Sequence, residues 1–173
     1  MAKVFVELVS ELWHYLQMGQ TVGRPRQVGL HHLGLSVTDV ERSTAFYCEV
    51  LGATVVRPPH RSETFSGQRS IVRVGPNGID LNQFDSNSTE QFDPRRTGLD
   101  HLAFTVESLE DLEAWAQWLD TKGVARSIVR DGGGVGAVFD LVDPDGIQIE
   151  FYFLDREKLS RSALFSAQGE PDT

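Results

Sequence analysis

His32-Leu33-Gly34-Leu35-Ser36-Val37 and His101-Leu102-Ala103-Phe104-Thr105-Val106 read as two copies of one strand, 69 residues apart (101 less 32). Both alternate apolar with polar or small residues, as a half-buried β-strand does. A second pair aligns without a gap. Arg73-Val74-Gly75-Pro76-Asn77-Gly78-Ile79-Asp80-Leu81-Asn82 falls on Leu141-Val142-Asp143-Pro144-Asp145-Gly146-Ile147-Gln148-Ile149-Glu150 at an offset of 68 (150 less 82). Two matches at nearly one offset mark an internal duplication. Copies too small to be stable alone bury their faces together.

Each copy carries the same order of elements. In the first, the strand Leu30 to Val37 leads to Thr38, which with Glu41 forms a capping box and starts a helix. Val40, Thr44, Phe46, Tyr47, Val50 and Leu51 supply the helix's apolar side, and Gly52 stops it. A strand over Ala53 to Arg57, a loop from Pro58 to Gly67, and strands over Ser70 to Val74 and Ile79 to Phe84 follow, the last two around the turn Gly75 to Gly78. In the second copy Leu99 to Val106 is the strand, Ser108 caps the helix and Gly123 ends it. Strands over Val124 to Val129, Val135 to Val142 and Ile147 to Phe153 complete it, with a mobile-looking Asp131-Gly132-Gly133-Gly134 before the second of these. The architecture is α+β: paired βαβββ modules forming curved mixed sheets around a concave site. The chain divides into an N-terminal helix and linker (1–27), the duplicated domain (28–154; module one 28–84, hinge 85–98, module two 99–154) and a C-terminal tail (155–173).

The whole chain is consistent with this. It has 173 residues, 40% hydrophobic and 24% charged, an ordinary globular composition for one domain. Its formal net charge of -9 repels phosphate backbones, so no nucleic-acid partner is expected. Cys48 is the only cysteine, which excludes an internal disulfide and fits a reducing, cytoplasmic home. No apolar run is long enough to span a membrane, and none is expected as a partner. Val4, Phe5, Leu8, Val9, Leu12 and Leu16 recur at helical spacing over residues 3–18, while Glu7 and Glu11 argue against a signal peptide. That apolar stripe predicts a homodimer.

The chemistry is expected on one strand face. Gln148, Glu150 and Tyr152 share a side of the last strand, and a mid-strand carboxylate needs a partner if it is buried. His32 and His101 hold equivalent places in the two first strands. Glu150 and its ungapped counterpart Asn82 complete a ring of candidate metal ligands, because two imidazoles and a carboxylate suit a divalent cation. Phe84 and Tyr152, one step further along, are candidate pocket aromatics, with core filling as the equal alternative. Arg73 and Arg130 could hold an acidic substrate or lie solvated. The Pro58–Gly67 and Asp131–Gly134 segments, with Arg57 and Arg61, could cover the mouth of the site. Trp115 reads as packing. His31 is expected to face away from His32, and His14 and His60 to be solvated.

These motifs resemble the vicinal oxygen chelate superfamily, the glyoxalase, bleomycin resistance protein and extradiol dioxygenase group. The resemblance rests on His32 to Asp39, Phe46-Tyr47, Leu51-Gly52, Gly98 to Phe104 and Asp143 to Glu150, and spans residues 28–153. It implies that His32, His101 and Glu150 are metal ligands and that Glu150 doubles as a catalytic base. The fourth place is open between Asn82, Asp80 (two residues along on the same face) and water. The implied cofactor is a divalent metal (Zn, Ni, Fe(II), Mn or Co), and the implied partner is a small molecule. Three functions fit: a metal-dependent lyase or isomerase of glyoxalase type binding vicinal oxygens, an Fe(II) extradiol-type dioxygenase, and a metal-free drug-binding protein. The superfamily closes its cup either within one chain or across a two-fold dimer.

Overall fold

A computed structural model describes residues 29–87 and 89–161; the expected N-terminal helix and the far end of the tail lie outside them. In order the elements are β1 (His32–Ser36), α1 (Val40–Glu49), β2 (Thr54–Arg61), β3 (Gly67–Val74), β4 (Asn77–Phe84), β5 (His101–Val106), α2 (Leu109–Thr121), β6 (Arg130–Asp131), β7 (Gly136–Val142), β8 (Gln148–Leu154) and α3 (Arg156–Arg161). They form two mixed sheets of four strands, ordered β1-β4-β3-β2 and β5-β8-β7-β6. In each the first strand runs parallel to the last and the rest pair antiparallel. The α+β duplication read from the sequence is therefore present.

Alternation sets the faces. Leu35, Ile79, Leu81, Leu102, Ile149 and Phe151 point into one buried cluster with the apolar sides of α1 and α2. The opposite faces carry His32, Asp80 and Asn82 on one sheet, and His101, Glu150 and Tyr152 on the other. His32, Ser36, His101 and Ala103 are exposed there, and Val142 is 54% exposed. Trp115 packs on Phe151 with ring centres 4.7 Å apart, as expected of a core residue.

The modules lock side by side through polar groups on the core side. Asp145, in the turn between β7 and β8, accepts from the Thr38 backbone at 3.2 Å, from the Thr38 hydroxyl, from Arg42 at 2.8 Å and from the Ser43 hydroxyl at 3.3 Å. Asp143 accepts from the backbone of Asp145 and Ile147 at 2.9 and 2.8 Å and faces the Tyr47 hydroxyl. Burial pushes the Asp143 carboxyl above the usual carboxylate range, against the opposing pull of those two N–H groups. Burial, then the Asp143 carboxylate, pushes the Tyr47 phenol far above its ordinary value. Trp118, on α2, donates to the Val50 carbonyl at 2.8 Å.

Several local expectations are corrected. Asp39, not Thr38, caps α1, accepting from Glu41 and Arg42 N–H at 3.0 Å; the Thr38 hydroxyl is drawn away to Asp145. The strand after α1 continues through Pro58-Pro59 to Arg61 instead of giving way to a loop. It is an edge strand, and both prolines fall in the irregularity between the paired residues Arg57 and His60, where no ladder donor is needed. His60 is thereby half-buried on a strand, with its Nδ1 2.9 Å from the Pro58 carbonyl. Val124 to Val129 makes only the single bridge Arg126–Leu141, and the paired strand is the two residues Arg130–Asp131. The Ser127 hydroxyl accepts from Asp140 N–H at 2.9 Å, a donor that a strand carbonyl would otherwise take. The Ser108 cap stands as read, and Gly52 and Gly123 end their helices at φ +67.

Gly67 and Gly136 are equivalent residues at the starts of β3 and β7. A Cβ on Gly136 would lie 1.9 Å from the Phe153 carbonyl oxygen, and one on Gly67 2.1 Å from that of Gln83. Backbone cannot give way as a side-chain tip can. Gly136→Ala is expected to cost about 3 kcal/mol in urea unfolding; a loss below about 0.5 kcal/mol would show that β7 and β8 can separate freely.

Candidate metal centre

β5 and β8 run in parallel register, so His101 pairs with Gln148 and Ala103 with Glu150. This brings His101 Nε2 within 3.7 Å of Glu150 Oε2. Donor atoms each about 2.1 Å from one cation stand roughly 3.0–3.4 Å apart at octahedral to tetrahedral angles, so a shift of a few tenths of an ångström makes this pair bidentate on a metal. The other carboxylate oxygen, Oε1, accepts from Gln148 at 3.2 Å and lies 3.8 Å from Arg130. One oxygen is thus held and the other presented. Arg130 is itself tied to Asp140 at 2.5 Å, so two carboxylates already share the cation offered above for an acidic substrate.

The first sheet repeats the arrangement with a different acid. β1 pairs with β4 so that His32 faces Gly78 and Gly34 faces Asp80. Gly78 is therefore the structural equivalent of Gln148, an offset of 70 (148 less 78) rather than the ungapped 68. Five residues separate the paired Val142 and Gln148, whereas four separate Arg73 and Gly78. Asp80 is consequently the counterpart of Glu150, and Asn82 that of Tyr152. Asn82 is engaged otherwise: its amide oxygen accepts from Arg69 at 2.8 Å and its amide nitrogen donates to the Asp80 carbonyl. Arg69 lies 3.9 Å from the Asp80 carboxylate, much as Arg130 lies by Glu150.

Within one chain these two half-sites stay apart. Among the described residues no group of three or more His, Cys, Asp or Glu gathers where one ion could hold them. The structure thus joins His101 to Glu150 and does not bring His32 or Asn82 to them. A cleft of about 390 Å³ lies elsewhere, at the module junction beside Arg42, Phe92 and Asp145, and contains none of these groups.

The aromatic candidates sit on the same open faces. Phe84 packs on Phe65 with ring centres 4.6 Å apart, and Arg69 lies over Phe65. The Tyr152 hydroxyl donates to the Gly132 carbonyl. Burial, then the nearby Asp131 and Glu150 carboxylates, pushes the Tyr152 phenol up, so it stays protonated. The Gly-rich connection is tied by Asp131, whose carboxylate accepts from Gly134 N–H at 2.8 Å. His31 departs from its expected orientation. It precedes the first residue of β1, so the pleat does not turn it away, and its Nδ1 lies 2.8 Å from that of His32. Residues 29–151 match the sequence model of the glyoxalase/bleomycin resistance protein/dioxygenase superfamily. The chain belongs to that superfamily. It is 34% identical over 124 residues to the uncharacterized protein YwkD of Bacillus subtilis, a match covering 71% of this chain and 94% of YwkD. To the glutathione transferase FosA of Serratia marcescens it is 30% identical over 123 residues, covering 71% of this chain and 79% of FosA. Among solved structures, a glyoxylase/bleomycin resistance protein/dioxygenase domain from Frankia sp. EAN1pec superposes with a TM-score of 0.67 at 29% identity, over 75% of this chain and 93% of that domain. Members of one superfamily can host different reactions, so the reaction has to be argued from the side chains.

Proposed function

We propose that the chain is a divalent-metal-dependent enzyme of glyoxalase type, a lyase or isomerase acting on a small molecule with two adjacent oxygens. The carrying observation is the strand register, which gives each module one imidazole and one carboxylate in matching places: His32 with Asp80, and His101 with Glu150. Two such halves, one from each chain of a homodimer, would supply four side-chain ligands to a divalent metal that also binds the substrate oxygens. A bound divalent metal would act as a Lewis acid on those oxygens. Glu150, with Oε1 anchored by Gln148 and Oε2 facing the site, would hold the metal and, with Oε2 freed by the incoming substrate, would serve as the base that takes a proton from the substrate carbon and returns it. Phe84 and Tyr152 flank the ligand rows as the aromatic part of the pocket. The relative FosA is an enzyme, a glutathione transferase, which supports catalysis over passive drug binding. A single cysteine, Cys48, fits a cytoplasmic setting.

One observation favours a second reading. Arg69 lies 3.9 Å from Asp80, whereas Arg130, at a like distance from Glu150, is drawn to Asp140 at 2.5 Å; if the Arg69–Asp80 pair persists, the remaining His32, His101 and Glu150 form a two-histidine, one-carboxylate triad suited to an Fe(II) extradiol-type dioxygenase. Elemental analysis of untagged protein decides between them. About one zinc, nickel, manganese or cobalt ion per chain is expected, lost in His101→Ala, Glu150→Ala and Asp80→Ala and kept in Asn82→Ala. Iron retained in Asp80→Ala selects the dioxygenase. Metal content unchanged in both His101→Ala and Glu150→Ala would falsify the site.

A further inference from the structure

The residue immediately before each strand histidine engages that histidine's Nδ1. Asp100 Oδ1 lies 2.6 Å from His101 Nδ1, and His31 Nδ1 lies 2.8 Å from His32 Nδ1. Asp100 and His31 are themselves equivalent, 69 residues apart (100 less 31). Adjacent residues within a strand point to opposite faces. Both of these precede the first residue of their strand, and that frees their side chains to fold back onto the imidazole.

We propose that Asp100 and His31 are positioning residues that hold His101 and His32 as Nδ1–H tautomers and keep each Nε2 as the ligating nitrogen. The consequence for metal rests on the function proposed above; the tautomer does not. A carboxylate only accepts hydrogen bonds, so the proton between Asp100 and His101 sits on Nδ1. Nε2 then carries the lone pair, and Nε2 is the atom that faces Glu150 Oε2 at 3.7 Å, too far for a hydrogen bond but within reach of a shared cation. The 2.8 Å contact between the two Nδ1 atoms of His31 and His32 accommodates the same arrangement, with His31 Nδ1 as acceptor and the His32 proton on Nδ1. The two halves are unequal: a carboxylate backs His101 and an imidazole backs His32. Carboxylate backing raises the basicity of a ligating imidazole and fixes its plane, so His101 is the stronger ligand. Residue type alone does not reveal this, because an acid beside a histidine in sequence is ordinarily a neighbour on the other face of the sheet.

The test uses the full chain, free of metal, with the imidazole nitrogens read by long-range proton–nitrogen-15 NMR. In the unsubstituted protein His101 is expected as the Nδ1–H form. Asp100→Ala should convert it to the Nε2–H form that water favours, whereas Asp100→Asn, whose amide oxygen still accepts, should keep Nδ1–H. Zinc affinity, measured by competition with a chelator, should fall about 10- to 100-fold in Asp100→Ala and less in Asp100→Asn. His31→Ala should move His32 in the same sense. An Nε2–H form of His101 in the unsubstituted protein overturns the proposal. So does a tautomer change with unchanged zinc affinity, or lost affinity with the tautomer unmoved. If the tautomers shift as stated but no variant, including the unsubstituted chain, takes up zinc, the metal reading fails and the orientation by Asp100 stands.

Discussion

Equal amounts of His32→Ala and Glu150→Ala chains, co-expressed under two different tags, are expected to recover about a quarter of the unsubstituted metal content, although each variant alone binds none. The fraction follows from two-fold symmetry. In the proposed homodimer half of the randomly formed dimers are mixed, and each mixed dimer would hold one intact site out of two, built from His32 and Asp80 of one chain and His101 and Glu150 of its partner. The second site in that dimer carries both lesions. The expectation comes from two features of the fold. His101 and Glu150 approach to 3.7 Å within a chain, yet among the described residues no third ligand joins them. The faces carrying the ligands are open at His32 and His101 and part-covered at Asp80 and Glu150, while the modules are fastened to one another on the opposite, core side by Asp145, Asp143 and Trp118. A chain joined in that way presents both half-sites outward. Metal measured on tandem-purified mixed dimers is the direct readout. Mixed dimers that form but stay empty would show that the two halves never share an ion, and the proposed active site would be lost with them.

The sequence made some parts of this arrangement legible because their causes are local. Ser108 caps α2 through the N–H of Asp111, three residues on, and Gly52 and Gly123 stop helices by their own backbone freedom. The two histidine strands announce themselves by alternation. What it hid has non-local causes. Thr38 has every mark of a helix cap, but an acceptor 107 residues away claims its hydroxyl. The prolines at 58 and 59 read as a loop because nothing local says that β2 lies at a sheet edge. The slip between Asn82 and Asp80 is the most instructive. Gly75-Pro76-Asn77-Gly78 and Asp143-Pro144-Asp145-Gly146 look alike as turns, so aligning them is natural. Yet Asp143 and Asp145 are used to fasten the modules, and their turn carries one residue more between paired positions. Similarity in the turn therefore misplaces the strand that follows, and with it the acid. Asp100 and His31 escaped notice because strand periodicity assigns them to the wrong face until the strand ends are known.

Asp145→Ala is expected to lower stability by about 2–4 kcal/mol, a large part of what a domain of this size possesses. The Asp145 side chain is 6% exposed and gathers the Thr38 N–H, the Thr38 and Ser43 hydroxyls and the Arg42 guanidinium. Alanine removes both carboxylate oxygens at once and leaves these buried and part-buried donors without their acceptor, at about 1–3 kcal/mol for each one left unpaired. The upper values for a broken buried ion pair do not apply, because Arg42 is 48% exposed and water can replace its partner. Asp145→Asn keeps one acceptor oxygen and should cost less than half as much. Urea unfolding midpoints check both, and a cycle with Arg42→Ala isolates the charged contact, which should contribute no more than about 1 kcal/mol. The larger consequence is geometric. Asp145 ties Thr38 and α1 of the first module to the β7–β8 turn, and β8 carries Glu150. A loosened turn lets the His32 and Glu150 faces of a chain change their relative angle, and two such chains in the proposed dimer would then no longer present four donors to one cation. In folded Asp145→Ala protein, metal affinity should therefore fall even though no ligand has been touched. Retention of full affinity at a stability loss of 2–4 kcal/mol would mean that the dimer contacts, not this junction, set the ligand geometry.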